Sequence, residues 1–384
     1  MTTIACIEDL RRKAKQRVPR MFYEYADSGS WSESTYRANE DDLQALKFRQ
    51  RVAIDVSARS TKMTMLGENV SMPVALAPIG LTGMQYADGE ILAAKAARDF
   101  GVPFTLSTMS ICSIEDVAEH SSAPFWFQLY VMRDREFIRR LVDRARDAKC
   151  SALMITLDLQ IMGQRHKDVR NGLSAPPKPT LRNLINLIQK PQWCLGMLGT
   201  KRRQFGNIFG HVKGVDDMSS LADWTVSQFD ASLSWDDVRE IRKQWGGKFI
   251  IKGILDVEDA RAAVKVGADA IIVSNHGGRQ LDGALSAIKA LPVIVDAVGD
   301  KAEIWMDGGI RSGQDVLRAI ALGAQGTLIG RAFLYGLGAK GQAGVTQALE
   351  IIHKELDLTM GLCGQSELQK VGSSILLGPR SDYW

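Results

Sequence analysis

A short apolar run recurs eight times along the chain, and this repetition limits the architectures that the chain can form. Each run is nearly continuous in apolarity and ends in Gly, Pro or a polar residue, as a parallel strand buried on both faces does. The eight runs are VALAP (74–78), FTLST (104–108), FWFQLY (125–130), ALMITLD (152–158), KFIIKG (248–253), AIIVSNH (270–276), EIWMDGG (303–309) and GTLIGR (326–331).

Helical patterns separate these runs. They carry apolar residues at helical spacing, acidic or Ser residues near their starts and often Gly at their ends. Eight alternations of strand and helix predict an α/β fold of the (β/α)8 TIM barrel type. The alternative is an open doubly wound sheet, which is disfavoured because no G-x-G-x-x-G follows the first run. The clearest helical patterns cover residues 90–101, 134–150, 256–268 and 312–324.

Composition agrees with a globular protein. The 384 residues are 45% apolar, which excludes a disordered chain and a collagen-like one. Five scattered cysteines form no C-x-x-C pair, so no disulfide framework, zinc site or other metal is expected, and a reducing compartment fits. We predict a single domain over residues 1–384, with an N-terminal helical extension over residues 1–70.

Neither a targeting segment nor a membrane span is visible in the sequence. The first thirty residues mix acidic and basic side chains without an apolar core of signal-peptide length. No stretch reaches the ~18 apolar residues that a membrane-spanning helix needs. We therefore expect the protein to begin at Met1 and to be cytoplasmic.

About ninety residues separate the fourth run from the fifth, and part of this gap is strongly basic. Leu173 to Gly214 contains no Asp or Glu, although the formal net charge of the whole chain is only +4. We interpret residues 173–214 as an insertion after strand four, on the barrel face where active sites lie. The small net charge gives no reason to expect a nucleic-acid partner. The basic residues of the insertion are Lys178, Arg182, Lys190, Lys201, Arg202, Arg203 and Lys213.

One stretch of this insertion, LRNLINLIQK (181–190), has the pattern of an amphipathic helix. Two interpretations are open. The helix is a lid that packs on the barrel, or it lies at a membrane interface, where each Lys or Arg adds about 1 kcal/mol of attraction to anionic lipid. The residues on its apolar face are Leu181, Leu184, Ile185 and Ile188.

Polar side chains lie at or after the ends of the strand runs, and Lys252 lies within the fifth run, where a barrel carries its active site. Each has a structural explanation when taken alone: Lys252 could pair with a buried acid, and Asp158 could cap a helix. Their joint occurrence at successive strand ends predicts an active site. They are Gln128, Tyr130, Thr156, Asp158, Lys252, His276, Arg279, Asp307 to Arg311, Gly330 and Arg331.

Two segments indicate the ligands. DGGIRSG (307–313) places glycines before a predicted helix, and Gly330-Arg331 adds a guanidinium, which together suit a bound phosphate. In SNHGGRQLDG (274–283), His276 could take up a proton near neutral pH while Arg279 holds a carboxylate. This pair suits a substrate with an acidic group beside the reacting carbon.

Further segments stand in a fixed order with these two: FYEYADSGS (22–30), APIG (77–80), LST (106–108), WFQLYV (126–131), IKG (251–253) and IGR (329–331). Together they resemble the FMN-dependent L-2-hydroxy acid dehydrogenase/oxidase family. The resemblance runs from about Asp9 to about Leu362, and SNHGGRQLDG is its most specific element. Within the family, the chain is most similar to the bacterial respiratory L-lactate dehydrogenases, with mandelate dehydrogenase second.

The resemblance implies a role for each matching residue. Around the substrate, it implies His276 as the base with Asp158 as its partner. It further implies a grip on the substrate carboxylate by Arg165 and Arg279, and hydrogen bonds to the substrate from Tyr25 and Tyr130. The implied FMN contacts are backbone contacts from Pro78, Ile79 and Gly80, ring and ribityl contacts from Ser107, Gln128, Thr156 and Lys252, and phosphate contacts from Asp307, Gly309, Arg311, Gly330 and Arg331.

The implied reaction is FMN-dependent oxidation of an L-2-hydroxy acid, with L-lactate to pyruvate as the expected case. His276 would remove either the hydroxyl proton or the α-proton. Because Gly80 stands where some oxidases carry Ala, we expect a membrane quinone or cytochrome-type acceptor. The alternatives are an oxidase that uses dioxygen, a mandelate-type dehydrogenase, or a flavin-free binding barrel, the last disfavoured by the intact polar set. A homotetramer, peripheral on the inner face of the cell membrane through residues 173–214, is also expected.

Overall fold

A computed structural model describes residues 3–173, 180–212, 224 and 227–377. Its central sheet has eight parallel strands, and each of the eight predicted runs contains one of them. A parallel bridge between Leu76 and Phe104 joins the first strand to the second and completes the ring, which confirms the predicted (β/α)8 barrel. The strands are Val74–Leu76, Thr105–Ser107, Trp126–Tyr130, Ala152–Thr156, Lys248–Ile254, Ala270–Val273, Glu303–Asp307 and Gly326–Ile329.

Helices surround this ring, one after each strand. Several of them start with a side-chain cap, as the sequence pattern indicates; Ser113, for example, accepts a hydrogen bond from the Asp116 N–H. Helix Gln342–Leu362 packs on the outer helices at the end of the chain. The outer helices are Gly89–Phe100, Ile114–Ser121, Arg135–Asp147, Trp235–Trp245, Val257–Lys265, Ala287–Val298, Gly313–Ala321 and Arg331–Lys340.

Large apolar side chains fill the inside of the ring. Trp126 and Trp305 stack there with their ring centroids 5.1 Å apart. The antiparallel hairpin Met63–Met65 and Glu68–Val70 packs Met65 against this cluster, near the first residues of the strands. The interior and the amino-terminal end of the barrel are therefore filled, which leaves the carboxyl-terminal end for a ligand.

The residues before the barrel form helices Ile7–Arg17, Arg20–Ala26 and Ser34–Ala45. The first packs on helix Arg331–Lys340, and the third reaches strand six through paired side-chain hydrogen bonds of 2.8 Å between Asn39 and Asn275. Lys47–Phe48 pairs with Leu376–Leu377, so the last described residues pair with the segment that follows these three helices. Short 3-10 helices occupy Thr82–Met84, Leu368–Lys370 and Ser373–Ile375.

In the described part of the connection after strand four, three helices precede the outer helix Trp235–Trp245: His166–Arg170, Leu181–Ile188 and Pro191–Gly199. Two of the seven basic residues of the predicted insertion, Lys178 and Lys213, lie outside the described residues. Among the helices that are described, none combines the length and the apolar character that crossing a bilayer requires.

Candidate active site

The carboxyl ends of the strands surround a cavity of about 270 Å³. The strand register places the predicted residues side by side at this end, because Ser107 pairs with Gln128, Tyr130 with Thr156, and Thr156 with Lys252. The cavity wall includes most of the predicted site residues: Tyr25, Pro78, Ile79, Gly80, Tyr130, Thr156, Arg165, Lys252, His276, Arg279, Asp307, Gly309, Arg311, Gly330 and Arg331.

His276 and Asp158 form a buried pair at this cavity. His276 Nδ1 donates a hydrogen bond of 2.9 Å to Asp158 Oδ1, so Nε2 is left for a ligand. Gly253 makes room for this pair, because its φ of +98° suits glycine and an added Cβ would lie 2.8 Å from Asp158 Cγ. The His276 backbone is itself left-handed, with a φ of +59°. Such a conformation in a non-glycine residue is typical of functional sites.

Burial and charge act in opposite directions on this pair. Burial lowers the pKa of His276 below its ordinary value, and the charge and hydrogen bond of Asp158 oppose this only in part. Burial raises the pKa of Asp158, but the charge of His276, its hydrogen bond and the charge of Lys252 lower that pKa more. His276 is therefore neutral and Asp158 ionised at neutral pH, which is the state that a general base needs.

Two guanidinium groups lie beside the pair and face the same tyrosine ring. The Arg279 guanidinium carbon is 4.7 Å from the Tyr25 ring centroid, and that of Arg165 is 6.0 Å from it. Arg279 donates to the backbone oxygens of Tyr25 and Ser28. Burial, followed by repulsion from Arg165, lowers the pKa of Arg279 to about 10. These two positive charges make this end of the cavity suitable for a carboxylate.

Tyr130 completes the cluster around His276. Its ring stacks on the imidazole with a centroid distance of 6.5 Å. Burial, and then the neighbouring Tyr25, raise the pKa of Tyr130, so its hydroxyl stays protonated and can donate a hydrogen bond. Tyr25 reaches the same space from helix Arg20–Ala26, and an added Cβ on Gly80 would lie 3.3 Å from its hydroxyl oxygen.

Polar side chains at the ends of strands two to four leave hydrogen-bonding atoms without partners. Thr156 lines the cavity, whereas Ser107 and Gln128 are buried and are not part of its wall. Ser107 Oγ donates to Gln128 Oε1 at 3.0 Å, while Gln128 Nε2 and Thr156 Oγ1 have no hydrogen-bond partner within the described residues. Such atoms are costly unless a ligand satisfies them. A flat heteroaromatic ring with several polar atoms, as in FMN, fits a surface of this kind.

The Lys252 ammonium is not an isolated charge, because it contacts a serine and a carboxylate. Its Nζ donates to Ser274 Oγ at 2.8 Å and lies 2.9 Å from Asp307 Oδ2. The resemblance implies that Asp307 contacts the FMN phosphate, and this contact stays a prediction. In the structure its carboxylate pairs with Lys252, and within the described residues its Oδ1 is buried without a hydrogen-bond partner. The pair is expected because a buried ammonium requires a nearby anion.

The opposite end of the cavity collects the predicted phosphate residues. Gly309 has a φ of +85°, and an added Cβ would lie 2.2 Å from the Asn39 oxygen, so only glycine fits there. Gly330 precedes helix Arg331–Lys340, whose first N–H groups form an anion-binding end. Arg311 Nη2 lies 2.8 Å from Glu40 Oε1.

The Arg331 side chain forms hydrogen bonds within the protein that the sequence did not predict. Its guanidinium donates to the backbone oxygens of Ala26, Gly277 and Ser28 at 2.9, 3.0 and 2.7 Å. It thus holds the N-terminal extension and the His276 loop together. We therefore expect its backbone, at the start of helix Arg331–Lys340, to contribute more to phosphate binding than its side chain.

The helix of the predicted insertion turns its apolar face outward. Leu181, Leu184, Ile185 and Ile188 are 75, 55, 51 and 73% exposed. The polar face of this helix contacts the rest of the protein. Asn183 donates to the Asn171 backbone oxygen at 2.7 Å, and Asn186 accepts from the Arg20 N–H at 2.7 Å. Within the described residues, the apolar face therefore does not pack on the barrel as the lid interpretation requires.

Some of the basic residues of the insertion are used inside the protein. Arg202 forms ion pairs with Asp116 at 2.7 Å and Asp88 at 3.1 Å, and Arg203 donates to two backbone oxygens. Arg182 and Lys201 are exposed. The positive charge that the insertion offers to solvent is thus smaller than its sequence indicates.

Two acidic residues, one in the cavity wall and one near it in the N-terminal extension, were not predicted from the sequence. Asp168 lines the cavity beside Arg165, three residues away on a short helix that has no clear pattern. Asp27 accepts hydrogen bonds from Arg11, Tyr23 and Tyr335, which ties the N-terminal extension to the helix after strand eight. The segment FYEYADSGS contains Asp27, but nothing in it indicates the distant partners.

Comparison with known proteins agrees with this geometry. A sequence model of the family described as FMN-dependent dehydrogenase matches residues 14–377. The L-lactate dehydrogenase of Caulobacter vibrioides (strain NA1000 / CB15N) is 45% identical over 375 residues, 97% of either chain. That of Ectopseudomonas mendocina (strain ymp) is 46% identical over 379 residues, 98% of this chain and 100% of the relative.

Among solved structures, that of the monotopic membrane protein (S)-mandelate dehydrogenase superposes with a TM-score of 0.93 at 34% identity. The match covers 98% of this chain and 100% of the other. The shared sequence, fold and cavity lead to one conclusion. The chain belongs to the FMN-dependent dehydrogenase family and is an FMN-dependent 2-hydroxy acid dehydrogenase.

Proposed function

We propose that this enzyme oxidises L-lactate to pyruvate, with His276 as the base, and passes the electrons to a membrane quinone or cytochrome-type acceptor. The observation that carries the proposal is the His276–Asp158 hydrogen bond of 2.9 Å beside two guanidinium groups in one cavity. Lactate is favoured over other 2-hydroxy acids because the two bacterial relatives named L-lactate dehydrogenase are 45 and 46% identical to this chain.

Binding of the substrate would begin at its carboxylate. Arg165 and Arg279 are both largely buried at the cavity, where a guanidinium binds a carboxylate more strongly than in water. Both guanidinium groups lie near the Tyr25 ring, and the Tyr25 hydroxyl can donate a hydrogen bond to the same ligand. A carboxylate held in this way would place the neighbouring carbon close to His276.

His276 would then accept one proton of the substrate at Nε2. Its Nδ1–H is held by Asp158, which orients the ring and stabilises the imidazolium that forms. Tyr130, stacked on the imidazole, would donate a hydrogen bond to the substrate oxygen. The apolar side chains inside the barrel exclude bulk water from the amino-terminal side of the cavity. The charged groups of the site therefore act in a low-dielectric environment.

FMN, when bound, supplies the acceptor for the two electrons that leave the substrate. Gln128 and Thr156 would hold its ring through the atoms that lack a partner within the protein. Lys252 would place positive charge near the ring, moderated by Asp307 at 2.9 Å. Gly309, Arg311 and the start of helix Arg331–Lys340 would hold the phosphate.

A second candidate substrate is (S)-mandelate. The structure of a mandelate dehydrogenase superposes with a TM-score of 0.93, although its sequence is only 34% identical. The cavity wall also carries apolar side chains on which an aromatic ring could be buried, including Leu81, Met109, Met162 and Phe205. A panel of L-2-hydroxy acids of increasing side-chain size separates the two candidates.

The location that we propose is peripheral, on the cytoplasmic face of the cell membrane. Support comes from the exposed apolar face of helix Leu181–Ile188 and from the likeness to (S)-mandelate dehydrogenase, which is described as a monotopic membrane protein. An amphipathic helix of this kind lies in the plane of a membrane interface. Trp193, on the next helix, donates to the Met84 oxygen at 2.8 Å, which holds this region beside the cavity.

The test is anaerobic mixing of the FMN-loaded enzyme with each L-2-hydroxy acid, followed by reoxidation with either air or a water-soluble quinone. We expect L-lactate to bleach the flavin absorbance fastest, and the quinone to restore it faster than air. Fastest bleaching by mandelate would favour the second substrate. Faster reoxidation by air would make the enzyme an oxidase and would overturn the proposed acceptor.

A further inference from the structure

The wall of the substrate end contains a carboxylate that the proposed mechanism does not use. Asp168 belongs to helix His166–Arg170 and lines the same cavity as Arg165 and Arg279. Its Oδ2 lies 3.7 Å from Arg165 Nη1, and the side chains are only 13 and 11% exposed. Its other oxygen, Oδ1, is buried and has no hydrogen-bond partner among the described residues.

The two arginines need this negative charge. Arg279 donates to backbone oxygens of Tyr25 and Ser28, which carry no net charge, and the nearby Arg165 guanidinium repels it. Burying two like charges together is unfavourable unless an anion is close. Asp168 supplies this charge from 3.7 Å beside Arg165, and its charge also acts on Arg279.

We propose that Asp168 sets the charge selectivity of the substrate end, so that it accepts a monocarboxylate and rejects a dicarboxylate. The proposal rests on the proposed role of Arg165 and Arg279 in holding the substrate carboxylate. Two guanidinium groups and one fixed carboxylate leave a single positive charge, which one substrate carboxylate neutralises. A second substrate carboxylate would be buried as uncompensated negative charge beside Asp168.

The groups around Asp168 shift its pKa in opposite directions. Burial raises its pKa; the charges of Arg279 and Arg165 oppose that rise, while Glu24 adds to it. Because the pKa of Asp168 is raised, the affinities are measured at about pH 8, which favours the ionised carboxylate. Glu24 is occupied elsewhere, since it accepts hydrogen bonds from Arg20 at 3.0 Å and from Asn171 at 2.6 Å.

The test compares two ligands of similar size that differ by one charge, propionate and malonate. Their dissociation constants are measured with the FMN-loaded enzyme through the change that they cause in the visible flavin spectrum, and competition with L-lactate locates them in the substrate cavity. In Asp168→Asn we expect malonate to gain about tenfold in affinity relative to propionate, because one opposing charge is gone. Asp168→Glu keeps the charge and should keep the selectivity of the parent.

Glu119→Gln is the control for net charge, since Glu119 is 78% exposed on an outer helix and its loss should leave both affinities unchanged. If Asp168 had only a structural role, Asp168→Asn would weaken the binding of propionate and malonate by the same factor. The ratio of their dissociation constants would then be unchanged, which would overturn the inference. If L-lactate bleaches the flavin of the parent enzyme but the ratio of malonate to propionate affinity is unaltered in Asp168→Asn, the role of Asp168 is refuted and the proposed function stands. If no L-2-hydroxy acid bleaches the parent, the proposed function fails.

Discussion

His276 Nδ1 and Asp158 Oδ1 lie 2.9 Å apart at the carboxyl end of the barrel, although 118 positions separate the two residues in the chain. Strand four ends just before Asp158, and strand six ends just before His276. The pairing leaves the imidazole neutral at neutral pH, fixes which nitrogen carries the proton, and presents Nε2 to the ligand. The expected behaviour of the enzyme follows from this pair and its neighbours.

Replacing Asp158 with Asn should change both the rate and its pH dependence. The charge and hydrogen bond of Asp158 raise the pKa of His276, so Asp158→Asn lowers that pKa further below 6.5. Flavin reduction needs neutral His276, and its rate is lost as pH falls through this pKa. We expect the loss to move to lower pH, and the plateau rate to fall at least about a hundredfold, because the imidazolium loses its counter-ion. Anaerobic reduction by saturating L-lactate between about pH 4.5 and 8 measures both; an unchanged plateau would refute the assigned partnership.

Lys252→Met should slow flavin reduction more than it weakens substrate binding. It also leaves Asp307 as an unpaired buried carboxylate, since the pair is only 4 and 10% exposed. The free energy of unfolding should therefore fall by about 3–5 kcal/mol. The double variant Lys252→Met with Asp307→Asn removes this penalty, and denaturant titration should show recovered stability. Recovery of the reduction rate in the double variant would contradict a role for the Lys252 charge.

Gly253→Ala should damage the active site through contact with Asp158. Its added Cβ would lie 2.8 Å from Asp158 Cγ, at a φ of +98°. Gly246→Ala is the matched control, because φ is +73° there and nothing lies within 4 Å of the added atom. Both variants should lose about 1–2 kcal/mol of stability from left-handed backbone. Only Gly253→Ala should reduce flavin slowly, and equal rates in the two variants would argue against the positioning of Asp158 by Gly253.

Membrane attachment should depend on the outward face of helix Leu181–Ile188. The double variant Leu184→Glu with Ile188→Glu changes two exposed side chains and should fold normally. We expect at least a tenfold loss of co-flotation with phosphatidylglycerol-containing vesicles, since charge at an interfacial helix opposes insertion. Activity with a soluble electron acceptor should be unchanged.

The control for this experiment is Val52→Glu with Val293→Glu, which adds the same charge at positions that are 78 and 54% exposed elsewhere. It should float like the parent. Undiminished flotation of the helix variant would exclude this face as the attachment site.

The architecture could be predicted from the sequence because it follows from local patterns. Runs such as ALMITLD and AIIVSNH are continuous in apolarity only where both faces are buried, and the structure has a strand in each. Polar residues that end a run, such as Asp158 and His276, fall at the same end of the barrel once the strands are parallel. Their proximity could therefore be predicted without knowledge of tertiary contacts.

The partners of charged side chains could not be predicted in the same way. Lys252 and Asp307 lie on strands five and seven and meet across the barrel interior, at a distance that no spacing in the chain encodes. Arg331 matched a phosphate motif, yet its side chain donates to backbone oxygens of the N-terminal extension. The burial of Asp168 depends on helices that come from separate parts of the chain.

The most direct test of the account is a single anaerobic turnover with L-lactate in the parent enzyme and in His276→Ala, with FMN content measured in both. We expect the parent to form one pyruvate per FMN as its flavin absorbance bleaches, with no reaction of D-lactate. His276→Ala should retain FMN, since the phosphate residues lie at the other end of the cavity, and should form essentially no pyruvate. Substantial pyruvate formation by FMN-loaded His276→Ala would contradict the central claim that His276 is the base.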